Sequence, residues 1–266
     1  MSDDRPTLIQ LDISHYSEKV RWALDHKQVP HVRRSPLPGS HIPIAFALTR
    51  GESITLPLLQ MEGRTITDST AIIAALEQRY PEPPLYPADP EQRRHALELE
   101  DFFDEELGPH ARLLPFHELT NEPEMFAAVA AEAVPGPLGK AKGLVGLYAR
   151  TYTGLRFGVR DDAAAAVARE KIVTALDRLE AELEANGGGE FLVGDGFTVA
   201  DLTAASLFYP VVGPDEGPLP ADSPTPPRFA AFRAEIEQRP GYIWVEETFR
   251  RHRHPAPAET VGAASN

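Results

Sequence analysis

Along the first eighty residues the spacing of apolar positions changes several times, and each change marks an element. Leu8, Ile9, Leu11 and Ile13 alternate imperfectly with polar neighbours, the pattern of a strand buried on both faces. The polar turn Ser14-His15-Tyr16-Ser17 follows. Val20, Ala23 and Leu24 then recur at helical spacing, which predicts a helix with Ser17 as its N-cap and Glu18 in its first turn. Val29 to Ser35 predicts a second strand, since Val29-Pro30 favours extended backbone, and a β-α-β unit results. The Pro- and Gly-punctuated stretch from Pro36 to Ser53 leaves room for one short helix, from Pro43 to Leu48. Leu56 to Met61 and Arg64 to Thr67, joined by Glu62-Gly63, predict a hairpin. Asp68 then caps a helix carrying Ile72, Ile73, Leu76 and Tyr80, stopped by Pro81, Pro83 and Pro84.

Beyond this point strand patterns give way to helical ones. Residues 83–89 are proline-rich and read as a linker between one domain at 1–82 and a helical domain at 90–251. Residues 91–107 place Ala96, Leu99, Phe102, Phe103 and Leu107 on one helical face. The acidic residues Glu98, Glu100, Asp101, Asp104, Glu105 and Glu106 are expected on a solvated face, without chemistry. A second helical stretch, Glu122 to Tyr152, is broken by Pro135-Gly136-Pro137, and Asp161 starts a helix to Ala185 with Ile172, Ala175, Leu176, Leu179 and Leu183 in one stripe. Asn186-Gly187-Gly188-Gly189 ends it, and lacks the lysine of a phosphate loop. Thr198, with Asp201 three residues on and Phe197 placed to staple onto Leu202, caps a further helix. Pro210 to Pro227 reads as an irregular connection, followed by helices at Arg228–Gln238 and Tyr242–Arg251. The tail, 252–266, is expected to be disordered, with His252 and His254 among Arg250, Arg251 and Arg253 as an idle basic end.

Composition narrows the class. With 266 residues, two modest domains are expected, and 42% hydrophobic with 25% charged residues is the profile of a soluble globular protein. No apolar run approaches the roughly 20 residues of a membrane helix. The opening MSDDRPT lacks the basic and apolar blocks of a secretory signal, so a cytoplasmic protein is expected. A net charge of -14 argues against nucleic-acid binding. The absence of cysteine removes disulfides, thiolate-ligated zinc, iron–sulfur clusters and a cysteine nucleophile, and no metal site is expected.

What remains is the chemistry of the first turn. A helix start presents free backbone N–H groups, and the Ser14 hydroxyl beside them could hold a thiolate or another oxyanion. His15 next to Ser14 has no identifiable acid partner, which leaves a hydrolase triad unsupported.

Three segments, SHYSEKVRWALDHKQVPHV at Ser14 to Val32, TLPLLQMEGRTITDSTAIIAALEQRYP at Thr55 to Pro81 and FLVGDGFTVADLTAASLF at Phe191 to Phe208, occur in an order and spacing that resemble the glutathione S-transferase superfamily. The resemblance implies an α/β thioredoxin-like N-terminal domain plus an all-α C-terminal domain, in a homodimer. It implies glutathione as co-substrate, its thiol activated for attack on a small hydrophobic electrophile, with detoxification as the broad role. Ser14 matches the catalytic serine, or the cysteine of the cysteine-bearing classes, which favours conjugation or isomerisation over disulfide reduction. Tyr16 and Ser17 are the possible alternates. Leu56-Pro57 matches the cis-proline whose preceding backbone pairs with the cysteinyl unit of glutathione. Asp68-Ser69 matches the acidic-Ser pair that holds the γ-glutamyl end, with Asp in place of the more usual Glu. His41, Arg50 and Thr55 lie where the glycyl carboxylate is usually met, without a fixed register. His110, Phe116, Tyr148 and Tyr152 are the candidates for the electrophile pocket. A non-catalytic ligand-binding or interaction protein on the same fold, or a transferase using another small thiol, are the alternative readings.

Overall fold

The computed structural model describes residues 5–37, 39–132, 146–147, 161–219, 223–256 and 258–262. Strand β1 (Thr7–Ile9) lies parallel to β2 (His31–Ser35) and antiparallel to β3 (Leu58–Met61), which turns back into β4 (Arg64–Thr67). The turn residues Glu62 and Gly63 both have positive φ, 52° and 73°, as a two-residue hairpin turn requires. Helices α1 (His15–His26), α2 (His41–Leu48) and α3 (Ser69–Arg79) complete the first domain. Register decides what the sheet presents. Ile9 pairs with Leu58 and Leu58 with Thr67, so Gln10–Ser14, Leu56–Pro57 and Asp68–Ser69 all leave the sheet at one end.

The second domain starts at α4 (Pro90–Phe102), where Asp89 caps with its carboxylate on Glu91 N and Gln92 N and Pro90 takes the first helical position. One π-helical turn (Phe103–Leu107) joins α4 to α5 (Gly108–Thr120), and then follow α6 (Pro123–Glu132), α7 (Asp162–Ala185), α8 (Val199–Val212), α9 (Pro227–Ile236) and α10 (Pro240–His252). α8 is buried along nearly its whole length and packs on α1, α4, α5 and α10. Its start carries a capping box, with Asp201 accepting from Thr198 N at 2.8 Å. Apolar side chains of both domains form one continuous core, from Leu8, Val20, Trp22 and Ile72 to Phe103, Leu176, Leu202 and Val245. None of the described helices is long and apolar enough to cross a membrane.

Several expectations need correction. The cap of α1 is Ser14, not Ser17, because β1 stops at Ile9 and the helix begins at His15. The helix expected over 91–107 does not run as one: α4 ends at Phe102, a π-turn follows, and the chain continues into α5, with Pro109 in its first turn, where a missing N–H costs nothing. Pro210 likewise lies inside α8, which closes at Gly213 in the left-handed region. Phe197 stacks on Trp22 and His252, with ring centroids 5.7 and 5.0 Å apart, so its packing ties α8 to α1 and α10. The acidic face is not uniformly solvated. Lys19, fully buried, makes ion pairs of 2.9 Å with the buried Glu100 and with Asp104.

The chain after α10 is not an idle end. Arg253 is buried against α1, where its guanidinium meets Glu18 at 2.5 Å and Asp25 at 2.7 Å. Beyond it, strand β5 (Ala258–Gly262) pairs in parallel with β2 and becomes the outer strand of a five-stranded sheet of order β4-β3-β1-β2-β5. The break at Pro135-Gly136-Pro137 and the stretch that follows it to residue 160 lie, apart from 146–147, outside the described residues.

Candidate active site

The loop from Gln10 to Ser14 is held by bonds at most of its backbone groups. Leu11 N donates to Ser17 Oγ (3.3 Å), Asp12 O accepts from Arg21 Nη2 (2.8 Å), and Ser14 N donates to Leu11 O (3.0 Å). Ile13 O accepts from the hydroxyl of Tyr209, which reaches across from α8. Ser14 then caps α1 with Oγ accepting from Ser17 N (3.3 Å) and its carbonyl from Glu18 N (2.8 Å). An oxygen that accepts a helix-start N–H is polarised toward donating its own proton, and the half-buried Ser14 hydroxyl donates to no other group among the described residues.

The two alternates are committed differently. Ser17 is fully buried, with its oxygen held under the loop by Leu11 N. Tyr16 donates its hydroxyl to Asp104 O at 3.0 Å, and burial, helped by the Asp104 charge, pushes its pKa above the usual phenol range. Phenolate formation at Tyr16 is therefore disfavoured. His15 turns away from Ser14 into the domain boundary, where Nε2 meets Gly108 O at 2.9 Å. Burial, with Arg112 nearby, lowers its pKa to about 3, so near neutral pH it is a neutral imidazole donating to a carbonyl.

The other two segments stand at the same end of the sheet. The Leu56-Pro57 peptide is cis. Asp68 caps α3 with Oδ1 accepting from Ala71 N (3.0 Å), at φ 70° and ψ 132°. A non-glycine residue held in that sparsely populated region is a feature that clusters at binding sites. Ser69, buried, occupies the first position of α3, where the backbone N–H groups of Ser69 and Thr70 have no intrahelical acceptor. Beneath them Thr70 Oγ1 accepts from Lys19 Nζ (3.0 Å) and donates to Asp104 (3.2 Å), so the start of α3, the middle of α1 and the π-turn share one buried polar cluster. Burial lifts Glu100 above the usual carboxylate range in spite of Lys19 beside it.

Among the residues suggested for the electrophile pocket, His110 and Phe116 are half-buried on α5, and Tyr148 and Tyr152 lie outside the described residues. His110 is near the exposed Lys171–Glu106 ion pair, and burial lowers its pKa. His41 is the first residue of α2 and accepts from Gly39 N at 3.0 Å; Arg50 sits at φ 55° just past α2, and Thr55 is bonded to Ser53. None of these three is tied to the Ser14 loop by the contacts described.

Four residues near the loop had not been singled out for the site: Tyr209, Arg21, Arg112 and Asp104. Tyr209 stands in an apolar helix, where a phenol asks for a buried partner.

A family model described as the N-terminal domain of glutathione S-transferase matches residues 8–84, and one described as its C-terminal domain matches residues 160–235. A probable maleylacetoacetate isomerase of Caenorhabditis elegans is 26% identical over 209 residues, covering 79% of this chain and 80% of that protein. Among solved structures, a glutathione S-transferase of Methylobacterium radiotolerans in complex with glutathione sulfonate superposes with a TM-score of 0.53 at 23% identity, covering 90% of this chain and 93% of that one. A maleylacetoacetate isomerase of Anaeromyxobacter dehalogenans, with dicarboxyethyl glutathione and citrate in its active site, gives 0.56 at 20% identity over 94% and 89%. A glutathione S-transferase-like protein of Pseudomonas syringae gives 0.61 at 20% identity over 98% and 72%.

Proposed function

The chain belongs to the glutathione S-transferase superfamily, and from that premise we propose that it binds glutathione at the end of the sheet where its three loops meet and activates the thiol for attack on a small electrophile. The observation that carries this reading is the register: Ser14, Leu56-Pro57 and Asp68-Ser69, far apart in sequence, emerge side by side from neighbouring strands. In this reading Ser69 and the free N–H groups at the start of α3 take the γ-glutamyl carboxylate, and Asp68 supports the amine. The Leu56 backbone pairs with the cysteinyl unit. The Ser14 hydroxyl, rather than Tyr16 or Ser17, donates to the sulfur, and together with the positive end of α1 it lowers the thiol pKa. Ile13, next to Ser14 with 46% of its surface exposed, offers an apolar contact to a hydrophobic electrophile.

In this reading the electrophile is where specificity lies. Two relatives named as maleylacetoacetate isomerases support an unsaturated carbonyl compound as one substrate class to try. Calorimetry with glutathione, followed by conjugation assays on haloaromatic and enone electrophiles, tests the reading. Saturable binding and turnover are expected, with Ser14→Ala lowering kcat about tenfold or more and, because it removes the cap of α1, costing about 1 kcal/mol of stability. Binding without turnover of any electrophile would favour the non-catalytic alternative, and binding of other small thiols in preference to glutathione would favour the third.

A further inference from the structure

A helix cap fixes a backbone, yet the position of the Ser14 hydroxyl also depends on the three residues before it. Those residues make a turn closed by Ser14 N donating to Leu11 O at 3.0 Å, and its two other carbonyls are held by side chains from elsewhere. Ile13 O takes the hydroxyl of Tyr209, a phenol 1% exposed in the last turn of α8. Asp12 O takes Arg21 Nη2 at 2.8 Å, and Arg21 is itself held by Glu18, which accepts its Nε at 2.7 Å. Glu18 is in turn bridged by Arg253, which follows α10. Burial alone would raise Glu18, but the two guanidiniums keep it below the usual carboxylate range, so it stays charged and Arg21 stays anchored.

We propose that Tyr209 and Arg21 are positioning residues for Ser14: by holding the Ile13 and Asp12 carbonyls they set the direction in which the Ser14 hydroxyl meets a bound thiolate. This rests on the reading of Ser14 given above. The geometry separates the two carbonyls from ordinary loop groups. The exposed carbonyls of a short loop can be satisfied by water, whereas here one partner comes from the other domain and the other from a residue locked in a buried charge cluster. Tyr209 is fully enclosed and burial pushes its pKa well above the usual phenol range, so near neutral pH it is a neutral donor. Removing its oxygen leaves the Ile13 carbonyl facing an apolar ring and the Ile13–Ser14 peptide held only by Ser14 N on Leu11 O, so that the peptide can tilt. A hydroxyl turned away by tens of degrees no longer points along a hydrogen-bond direction to sulfur.

The test reads the ionisation of bound glutathione directly, from thiolate absorbance in the ultraviolet as a function of pH, in the full chain and in Tyr209→Phe, Ser14→Ala and the double variant. Tyr209→Phe is expected to raise the bound-thiol pKa by about one unit and to lower kcat about tenfold, with KM for glutathione changed by less than about twofold. In the double variant the pKa is expected to match that of Ser14→Ala alone, because Tyr209 acts through Ser14. Additive shifts, or an unmoved pKa in Tyr209→Phe when Ser14→Ala does move it, would overturn the inference while leaving the glutathione site standing. No glutathione binding by the wild type, or no shift in Ser14→Ala, would instead remove the reading on which it rests. Should Tyr209→Phe fail to fold, Arg21→Lys, which gives up the Asp12 contact and keeps the charge beside Glu18, carries the same measurement: a raised pKa supports the inference and an unchanged one overturns it.

Discussion

At the scale of single residues, protonation is where the structure makes its sharpest claims. His15 is buried as a neutral ring, its pKa lowered from 6.5 to about 3 by burial and by Arg112. As pH falls below 6.5 the unfolded chain takes up the proton first, so the stability that a neutral His15 contributes is present above 6.5 and is lost on the way down to about 3. Asp201 has the opposite sign: burial raises it to about 6, and its contribution is lost as pH rises toward that value. The difference between wild type and His15→Gln isolates the first term. Urea unfolding should show that the advantage of the wild type over His15→Gln shrinks by about 3 kcal/mol between pH 7 and pH 4; a constant difference would show that His15 is not buried in its neutral form. Residues of this kind were poorly legible in the sequence. Ser14 and Asp68 were singled out because small polar residues at the junction of a strand or hairpin and an amphipathic helix have a local signature, and Ser69 through the family resemblance. Tyr209, Arg21 and Lys19 were not, because their roles depend on groups brought close only by packing.

At the scale of elements, the joint between α4 and α5 matters most for the site. Sequence periodicity identified the helical face of α4 but carried one regular helix to Leu107, where the structure has a π-turn leading into α5. The turn exists where α1 comes closest: Tyr16 donates to Asp104 O and His15 Nε2 meets Gly108 O. A side chain at 108 has no room. Its Cβ would collide with the Tyr16 hydroxyl oxygen and stand 2.8 Å from Tyr16 Cζ. Gly108→Ala should therefore cost about 2 kcal/mol in thermal or denaturant unfolding, with part of the loss recovered when Tyr16→Phe is added. Equal stability of Gly108→Ala and wild type would contradict the close approach. The hairpin, by contrast, was legible to within two residues, because the Glu62-Gly63 turn between an apolar run and a β-branched one fixes a register that buries Leu58, Leu59 and Met61.

On the scale of the whole molecule, the two domains are joined by buried polar contacts as well as by a shared core. Lys27, fully buried in its side chain, donates to Tyr80 O (2.7 Å) and Pro83 O (3.0 Å) and pairs with Glu77, so the linker is fastened to the first domain where it starts. At the other end, Arg253 bridges Glu18 and Asp25, Arg33 pairs with Asp25 at 2.7 Å, and Ala256 N donates to Asp25 at 3.1 Å. The tail was expected to be disordered because its composition is polar and proline-rich. Composition cannot register one arginine placed opposite two buried carboxylates. Arg253→Met should destabilise the protein by about 3 kcal/mol, since it leaves buried negative charge short of a partner, whereas deletion of residues 258–266, which removes β5 and keeps Arg253, should cost less. The reverse order of effects, read from denaturant midpoints, would place the weight of the tail on the strand instead.

The account as a whole stands on a thiol held at the start of α1. Titration of glutathione bound to the wild-type protein, followed by thiolate absorbance, tests that most directly. The thiol should ionise about two pKa units below that of free glutathione, and the Ser14→Ala variant should give back at least half of the difference. A bound thiol that titrates like the free one would contradict it.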